Sequence, residues 1–285
     1  MAGRCYVSVS DAALCQRCPA LLAYKIHKGR KDAWKVGIKG SKNSYYGSLF
    51  HKEIAQVFFE AAANPSSKIH GEIARSFSGG TSSLESVIRE RIFVPFLSSK
   101  SKHYDSELLL SMAEGIRVWV NAMWEFFADI PSISENMSTV FIPPEQTLRS
   151  CYDCHQGKLY IEGRYDALLF NPDRAEARLF EFKSYMKSDV EVPLSQSLMY
   201  SWLVMRQTGI TPSVEIIYLG EGHREPVIFS ASCVKNMIDT GLPVLFDTVY
   251  CVMSGRKVQN FLRDRKLCSV CKFDDTCGND WRNLR

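Results

Sequence analysis

The sequence predicts an α/β fold, a sheet packed on by helices. Short β-rich runs crowd into the second half of the chain, segments of helical periodicity alternate with them, and 46% of the 285 residues are hydrophobic against 23% charged. Alternation of strands with helices calls for a sheet whose faces the helices cover, and this composition supplies enough apolar surface for a sizeable core. We expect one domain over residues 1–285, with 64–135 as a helical insertion. No internal repeat or long low-complexity tract divides it.

Taken in order, Ser10 and Asp11 before AALCQRCPALLAYKIH predict a capped N-terminal helix, with Pro19 early in a turn or opening a second helix. Residues 28–43 are basic, contain glycine and read as a loop. From Gly47 the run SLFHKEIAQVFFEAAA has a stripe of Leu49, Ile54, Val57 and Phe58 at helical spacing. Residues 64–83, rich in Ser, Gly and Pro, read as a connector. Helices are expected around 84–96 and over 107–127, where Leu108, Met112, Ile116, Val120 and Trp124 repeat. Strands are expected at 139–142, 159–170, 178–183, 214–219 and 227–229. Between them 195–207 is a helix, and 233–253 is one or two more, interrupted at Gly241 and Pro243.

No stretch approaches the eighteen or so apolar residues of a membrane span, and MAGRCYVSVSDAALCQRC lacks an apolar signal core. A cytoplasmic chain without a membrane partner is therefore expected. The net charge of +4 is mild, but its distribution is informative. Lys25, Lys28, Arg30, Lys31, Lys35, Lys39 and Lys42 are interleaved with Trp34 and Tyr45 and opposed by Asp32 alone. Cations for phosphates and flat rings for bases suit single-stranded nucleic acid; a solvated basic loop has the same composition.

The sharpest chemical pattern lies in YIEGRYDALLF and RLFEFKS. Residues two apart on a strand share a face, so Glu181 and Lys183 project together while Phe180 and Phe182 point to the opposite layer. Asp166, on the preceding strand, reaches Glu181 if NPDRAEA closes a hairpin. Adjacent carboxylates repel unless a cation lies between them, and hard oxygen donors suit Mg²⁺ or Mn²⁺. Such a cation acidifies a bound water and neutralises charge growing on a phosphate, while Lys183 can orient the water or hold the phosphate. Gln196 and Tyr200, four apart on the next helix, share one face and can reach the same cleft. His51 can complete a metal shell as a neutral imidazole. Each residue alone reads more readily as an ordinary surface or core position.

As a set, Gly47-x3-His51, Gly163-Arg164-Tyr165-Asp166, Glu181-Phe182-Lys183 and Gln196-x3-Tyr200 resemble the RecB-like branch of the PD-(D/E)XK nucleases in order and approximate spacing. The resemblance implies a restriction-endonuclease-like mixed sheet flanked by helices. It implies His51, Asp166, Glu181 and the Phe182 carbonyl as metal ligands, Lys183 as the catalytic lysine, and Gln196 and Tyr200 as a DNA-positioning pair.

Ten cysteines are many for a reducing compartment unless some bind metal. Cys268-x2-Cys271-x5-Cys277 supplies three thiolates and Cys18 a fourth from the opposite end, a set that suits either a [4Fe-4S] cluster or Zn²⁺. Such a site joins residues 1–25 to 260–285 and couples folding to metal. The arrangement around CPALLAY and CSVCKFDDTC resembles the CRISPR-associated RecB-like exonucleases and the AddB nuclease domain, which implies the [4Fe-4S] cluster. Cys15 with Cys18, paired with Cys268 and Cys271, equally outlines a zinc-ribbon-like site. Cys151-x2-Cys154-His155 has the spacing of a c-type haem attachment, which we read as coincidence, with free thiols in a loop; Cys5, Cys233 and Cys251 stand alone.

The expectation is thus an Mg²⁺- or Mn²⁺-dependent exonuclease acting on single-stranded DNA ends. CRISPR adaptation, antiviral defence beside CRISPR integration proteins, is the expected setting and recombinational repair its rival. The competing classes are a non-catalytic nucleic-acid-binding scaffold and a zinc-stabilised structural protein.

Overall fold

The computed structural model describes residues 4–27, 53, 56–57, 60–99, 106–127, 141–142, 147–183, 191–219 and 226–256. A strand that the sequence pattern does not announce, β1 (Arg4–Ser8), leads straight into α1 (Val9–Arg17). Ser8, not Ser10, is the cap: its Oγ accepts from the Asp11 N–H at 3.1 Å. This satisfies one of the donors that a helix start leaves over. Pro19 opens α2 (Pro19–His27), where its missing N–H costs nothing.

Residues 60–63 are helical, as are the described residues 53, 56 and 57. The connector expected over 64–83 is instead mostly helix, α3 (Lys68–Ser78) and the start of α4 (Thr81–Ile88). Its turn-forming residues sit at the boundaries: Ser67 caps α3 by accepting from the His70 N–H at 3.0 Å, and Gly80 takes the left-handed φ of 87° between the helices. Inside α3, Ile69, Ile73 and Phe77 form an apolar stripe. A π-helical turn (Arg89–Phe93) and α5 (Val94–Ser99) continue the expected helix, and Arg91 ties the turn to α3 through a two-pronged bond to Glu72 at 2.6 and 2.7 Å. Then comes α6 (Ser106–Phe127).

Two mixed sheets follow. The strand expected over 159–170 is two strands, β4 (Gly157–Gly163) and β5 (Ala167–Asn171), which belong to different sheets. The break falls at Arg164-Tyr165-Asp166. β3 (Leu148–Cys154) pairs antiparallel with β4, and β1 parallel with it, in the order β1-β4-β3. The second sheet has the order β2-β5-β6-β7-β8, where β2 is Phe141–Ile142, β6 Glu176–Lys183, β7 Ser213–Tyr218 and β8 Val227–Phe229. β6 and β7 are parallel, connected through α7 (Glu191–Thr208); the other neighbours are antiparallel. The turn between β5 and β6 closes as the NPDRAEA pattern suggests, with Asn171 Oδ1 accepting from the N–H groups of Asp173 and Arg174 at 3.0 and 3.2 Å.

The five-stranded sheet has a core on each face. On one, Phe180, Phe182, Leu169, Ile217 and Leu219 pack under α3 to α6, with Trp119 set edge-on to Phe182 at 5.0 Å. On the other, Leu168, Leu179, Val214 and Ile216 meet α1, α2, α7 and α8 (Ala231–Met253), which also cover the inner face of the three-stranded sheet. α7 is caught between the two sheets, so residues Leu198 to Val204 are all buried and the helix has no polar stripe. α8 runs unbroken through Gly241 and Pro243. Val234, Ile238, Leu242, Phe246 and Val249 are buried along it, and this stripe outweighs the one backbone bond that proline removes. No helix among the described residues is long and apolar enough to cross a membrane.

Candidate active site

Four of the predicted residues converge from three elements. Pairing of Ala167 with Phe180 sets Asp166 opposite Glu181, one step past the end of β5. There the strand has stopped donating backbone acceptors, and the Asp166 side chain takes over: Oδ2 accepts from the Phe182 N–H at 2.8 Å. The carboxylate thereby finishes the ladder and is fixed beside β6.

On β6, alternation sends Phe180 and Phe182 into the helical layer and Glu181 and Lys183 toward α7, as the strand pattern requires. Glu181 is 4% and Lys183 8% exposed. Burial of single charges at this depth is costly, and the two answer each other: Lys183 Nζ is ion-paired with Glu181 Oε1. The same ammonium donates to Gln196 Oε1 at 2.8 Å, which brings α7 to the site.

One helical turn on, the Tyr200 ring is buried against Gly163, the last residue of β4, and its hydroxyl lies in the field of the two carboxylates. Burial, then Glu181 and Asp166, push the phenol well above its ordinary pKa, while a hydrogen bond with Ser10 and the charge of Arg164 act the other way. Tyr200 is therefore a neutral hydroxyl at any physiological pH. Gln196 and Tyr200 thus share one face of α7 and approach the Glu181–Lys183 pair from successive turns.

The arrangement is a buried Glu181, a half-buried Asp166, one lysine and two polar side chains from α7. Asp166 and Glu181 supply hard oxygen donors, and the Lys183 ammonium is the cation paired with Glu181 here.

No protein-family model matches the chain, and no curated protein matches it.

His51, Cys268, Cys271, Cys277 and the basic run from Lys28 to Lys42 lie outside the described residues. Among the described residues no three His, Cys, Asp or Glu side chains gather closely enough to hold a metal ion. Cys18 occupies the half-buried joint between α1 and α2, where its N–H donates to the Leu14 carbonyl at 2.9 Å. Cys15 is 1% exposed in the inner core, and burial, with the nearby Cys18 and Cys251 thiols, pushes its pKa up to about 12. It behaves as an apolar thiol. The expected loop for Cys151 and Cys154 is strand β3. Residues three apart on a strand face opposite sides, so the pair cannot grip one ligand: Cys151 is half-buried on the outer face, and Cys154 is buried with its thiol 3.7 Å from the Phe246 carbonyl.

Sequence reasoning missed Ser10 and Arg164 as neighbours of the Tyr200 hydroxyl, and Gln16, whose amide accepts from Ser195 at the start of α7. Gly163 and Arg164 belong to a motif that the sequence displays. A glycine closing a strand beside a buried aromatic was the available signal for close packing.

Proposed function

We propose that this chain is a divalent-metal-dependent nuclease of the PD-(D/E)XK type, with the restriction-endonuclease-like fold of the RecB-like branch, and that it hydrolyses phosphodiester bonds in DNA. The observation that carries the reading is the meeting of Asp166, Glu181, Lys183 and Gln196, spread over thirty-one positions of sequence, around one ammonium–carboxylate pair. Scattered residues have no structural need to converge on a buried charged site, and doing so costs desolvation. Buried, mutually paired ionisable groups of this kind are candidates for sites of chemistry.

Asp166 and Glu181, with the Phe182 carbonyl and His51, are the residues to hold Mg²⁺ or Mn²⁺, whose chemistry is to acidify water and to neutralise charge on the phosphate. With a cation held by Glu181, Lys183, steadied by its hydrogen bond to Gln196, would face the phosphate or the attacking water. The neutral Tyr200 hydroxyl and Gln196 offer hydrogen bonds that place the strand. Single-stranded DNA ends are the proposed substrate, and CRISPR adaptation the proposed setting. Cys18 with Cys268, Cys271 and Cys277 is the proposed ligand set for a [4Fe-4S] cluster, and cytoplasmic residence belongs to the same reading.

The test is degradation of end-labelled single-stranded DNA with Mn²⁺. Lys183→Ala is expected to lower the rate by roughly a hundredfold or more, the scale of losing a charge that stabilises the transition state. A variant that digests as fast as the unaltered protein, with its circular dichroism unchanged, overturns the assignment. Iron and acid-labile sulfide analysis of anaerobically purified protein tests the cluster, and zinc without iron refutes it.

A further inference from the structure

A cleft of about 190 Å³ opens at the edge of β1 that has no strand partner among the described residues, apart from the acidic site. Tyr6 forms one side of it; Leu22 and Ile26 of α2 and Met253 at the end of α8 contribute apolar walls. Asp11 and Lys25, ion-paired with each other, add one acceptor and one donor. The cleft holds the volume of several waters, about 30 Å³ each, which is the size of a ring ligand and not of a lone ion.

Tyr6 is the exposed end of a stack. It is paired in register with Tyr160 of β4, the rings lie 4.8 Å apart at 16°, and Tyr6 itself is 63% exposed. A flat ligand entering the cleft extends this stack by one ring. Around it, the outer face of the three-stranded sheet carries Arg4, Lys158 and Arg149, in the rows flanking the tyrosines. Lys158 and Arg149 are paired with Asp153 and Glu162 at 3.1 and 3.0 Å, but in pairs so exposed that an anion exchanges for the carboxylate at little cost. Rows two residues apart on a strand are about 6.6 Å apart. That exceeds the roughly 3.4 Å step of a stacked duplex strand, so the surface fits bases splayed along an extended single strand.

We infer that this cleft takes a base of single-stranded DNA, stacked on Tyr6 and hydrogen-bonded at its edge by Asp11 and Lys25, with flanking phosphates on the cations of the outer sheet face. The inference rests on the proposed nuclease reading and deepens it by giving the strand a hold away from the bond that is cut. β1 and β4 run parallel toward the acidic site, β1 ending next to Ser10 and β4 at Gly163, both against Tyr200. From Tyr160 to Asp166 is six residues, at most about 20 Å of chain. A strand anchored in the cleft is thereby held within a few nucleotides of Lys183.

The experiment is fluorescence anisotropy of labelled oligothymidylate with the full chain in EDTA, so that binding is read without cleavage. Tyr6→Ala is expected to weaken binding about 5- to 100-fold, the loss of one stacked base, and Tyr6→Phe to restore it. An abasic strand of equal length, which keeps the phosphates, is expected to bind Tyr6→Ala and the unaltered protein alike. Oligouridylate separates DNA from RNA: tighter, Tyr6-dependent binding of the ribo-strand overturns the choice of DNA. Equal affinity of Tyr6→Ala for oligothymidylate, or equal weakening toward the abasic strand, overturns the base site. Because Tyr6 is exposed, its loss leaves the core intact. In a separate Mn²⁺ cleavage assay, loss of cleavage in Lys183→Ala together with unchanged oligothymidylate affinity of Tyr6→Ala refutes the cleft and spares the active site.

Discussion

At the scale of single residues, the site depends on spaces as much as on charges. Gly163 has no room for a side chain: a Cβ there lies 2.7 Å from Tyr200 Cε1 and 2.7 Å from Val9 Cγ2, both in buried side chains. Gly163→Ala is therefore expected to cost about 1–3 kcal/mol and to lower the melting temperature by several degrees, measured by calorimetry. Because the ring that must yield is Tyr200, the proposed DNA cleavage is expected to fall as well. Glu215 is a second such residue, on the opposite face of the same sheet. It is 1% exposed, and Arg178 approaches it only to 3.5 Å while also donating to the Ala122 carbonyl at 3.3 Å. Burial pushes its carboxyl up to about 7, with Arg178 pulling down and Glu125 pushing up. A carboxyl whose folded pKa exceeds its unfolded value near 4.5 favours folding while both states are protonated. That contribution is complete below 4.5 and is lost as pH rises from there through 7. The whole loss is roughly 3 kcal/mol, because each pH step between the two values is worth about 1.4 kcal/mol. Glu215→Gln is expected to remove the loss: relative to the unaltered protein it gains stability at pH 8 and little at pH 5. Equal differences in denaturation midpoint at the two pH values refute this.

At the scale of elements, α1 is set by its cap. Ser8→Ala removes the oxygen that receives the Asp11 N–H, and about 1 kcal/mol of stability is expected to go with it, read from urea unfolding. The fraying that follows is local to the start of the helix that carries Ser10 to Tyr200. The juxtaposition of Asp166, Glu181, Lys183 and Gln196 was legible from sequence: the alternation of Phe180, Glu181, Phe182 and Lys183, the turn at Asn171, and the i, i+4 spacing of Gln196 and Tyr200 are each local patterns with one geometric solution. Less legible were β1 and β3. A five-residue strand such as Arg4–Ser8 shows little alternation, and its partner β4 lies about 150 positions away. The break between β4 and β5 was hidden because Arg164-Tyr165-Asp166 contains no glycine or proline, and only the change of sheet requires it. Residues 64–83 misled for the opposite reason. Ser67, Gly79 and Gly80 are caps, and a cap has the composition of a loop.

At the scale of the whole molecule, the helices between residues 60 and 127 are no appendage to the sheet, because Phe180 and Phe182 on β6 are the floor on which they pack. The strand that presents Glu181 and Lys183 on one side is thus held from the other by an aromatic layer. Gly115 of α6 approaches so closely that a Cβ there lies 2.9 Å from Leu219, just beyond β7. Enclosure of α7 by both sheets carries the same coupling to the other half. Partial opening that bares its middle turns has to part the sheets, so amide protons from Leu198 to Val204 have no cheap route to water. In deuterium exchange they are expected to be among the slowest in the chain, tracking global unfolding, and rapid labelling there contradicts the enclosure. Slow exchange there would make the side of α7 facing Lys183 a wall that moves only with global unfolding, leaving any adjustment to the proposed substrate to the rim.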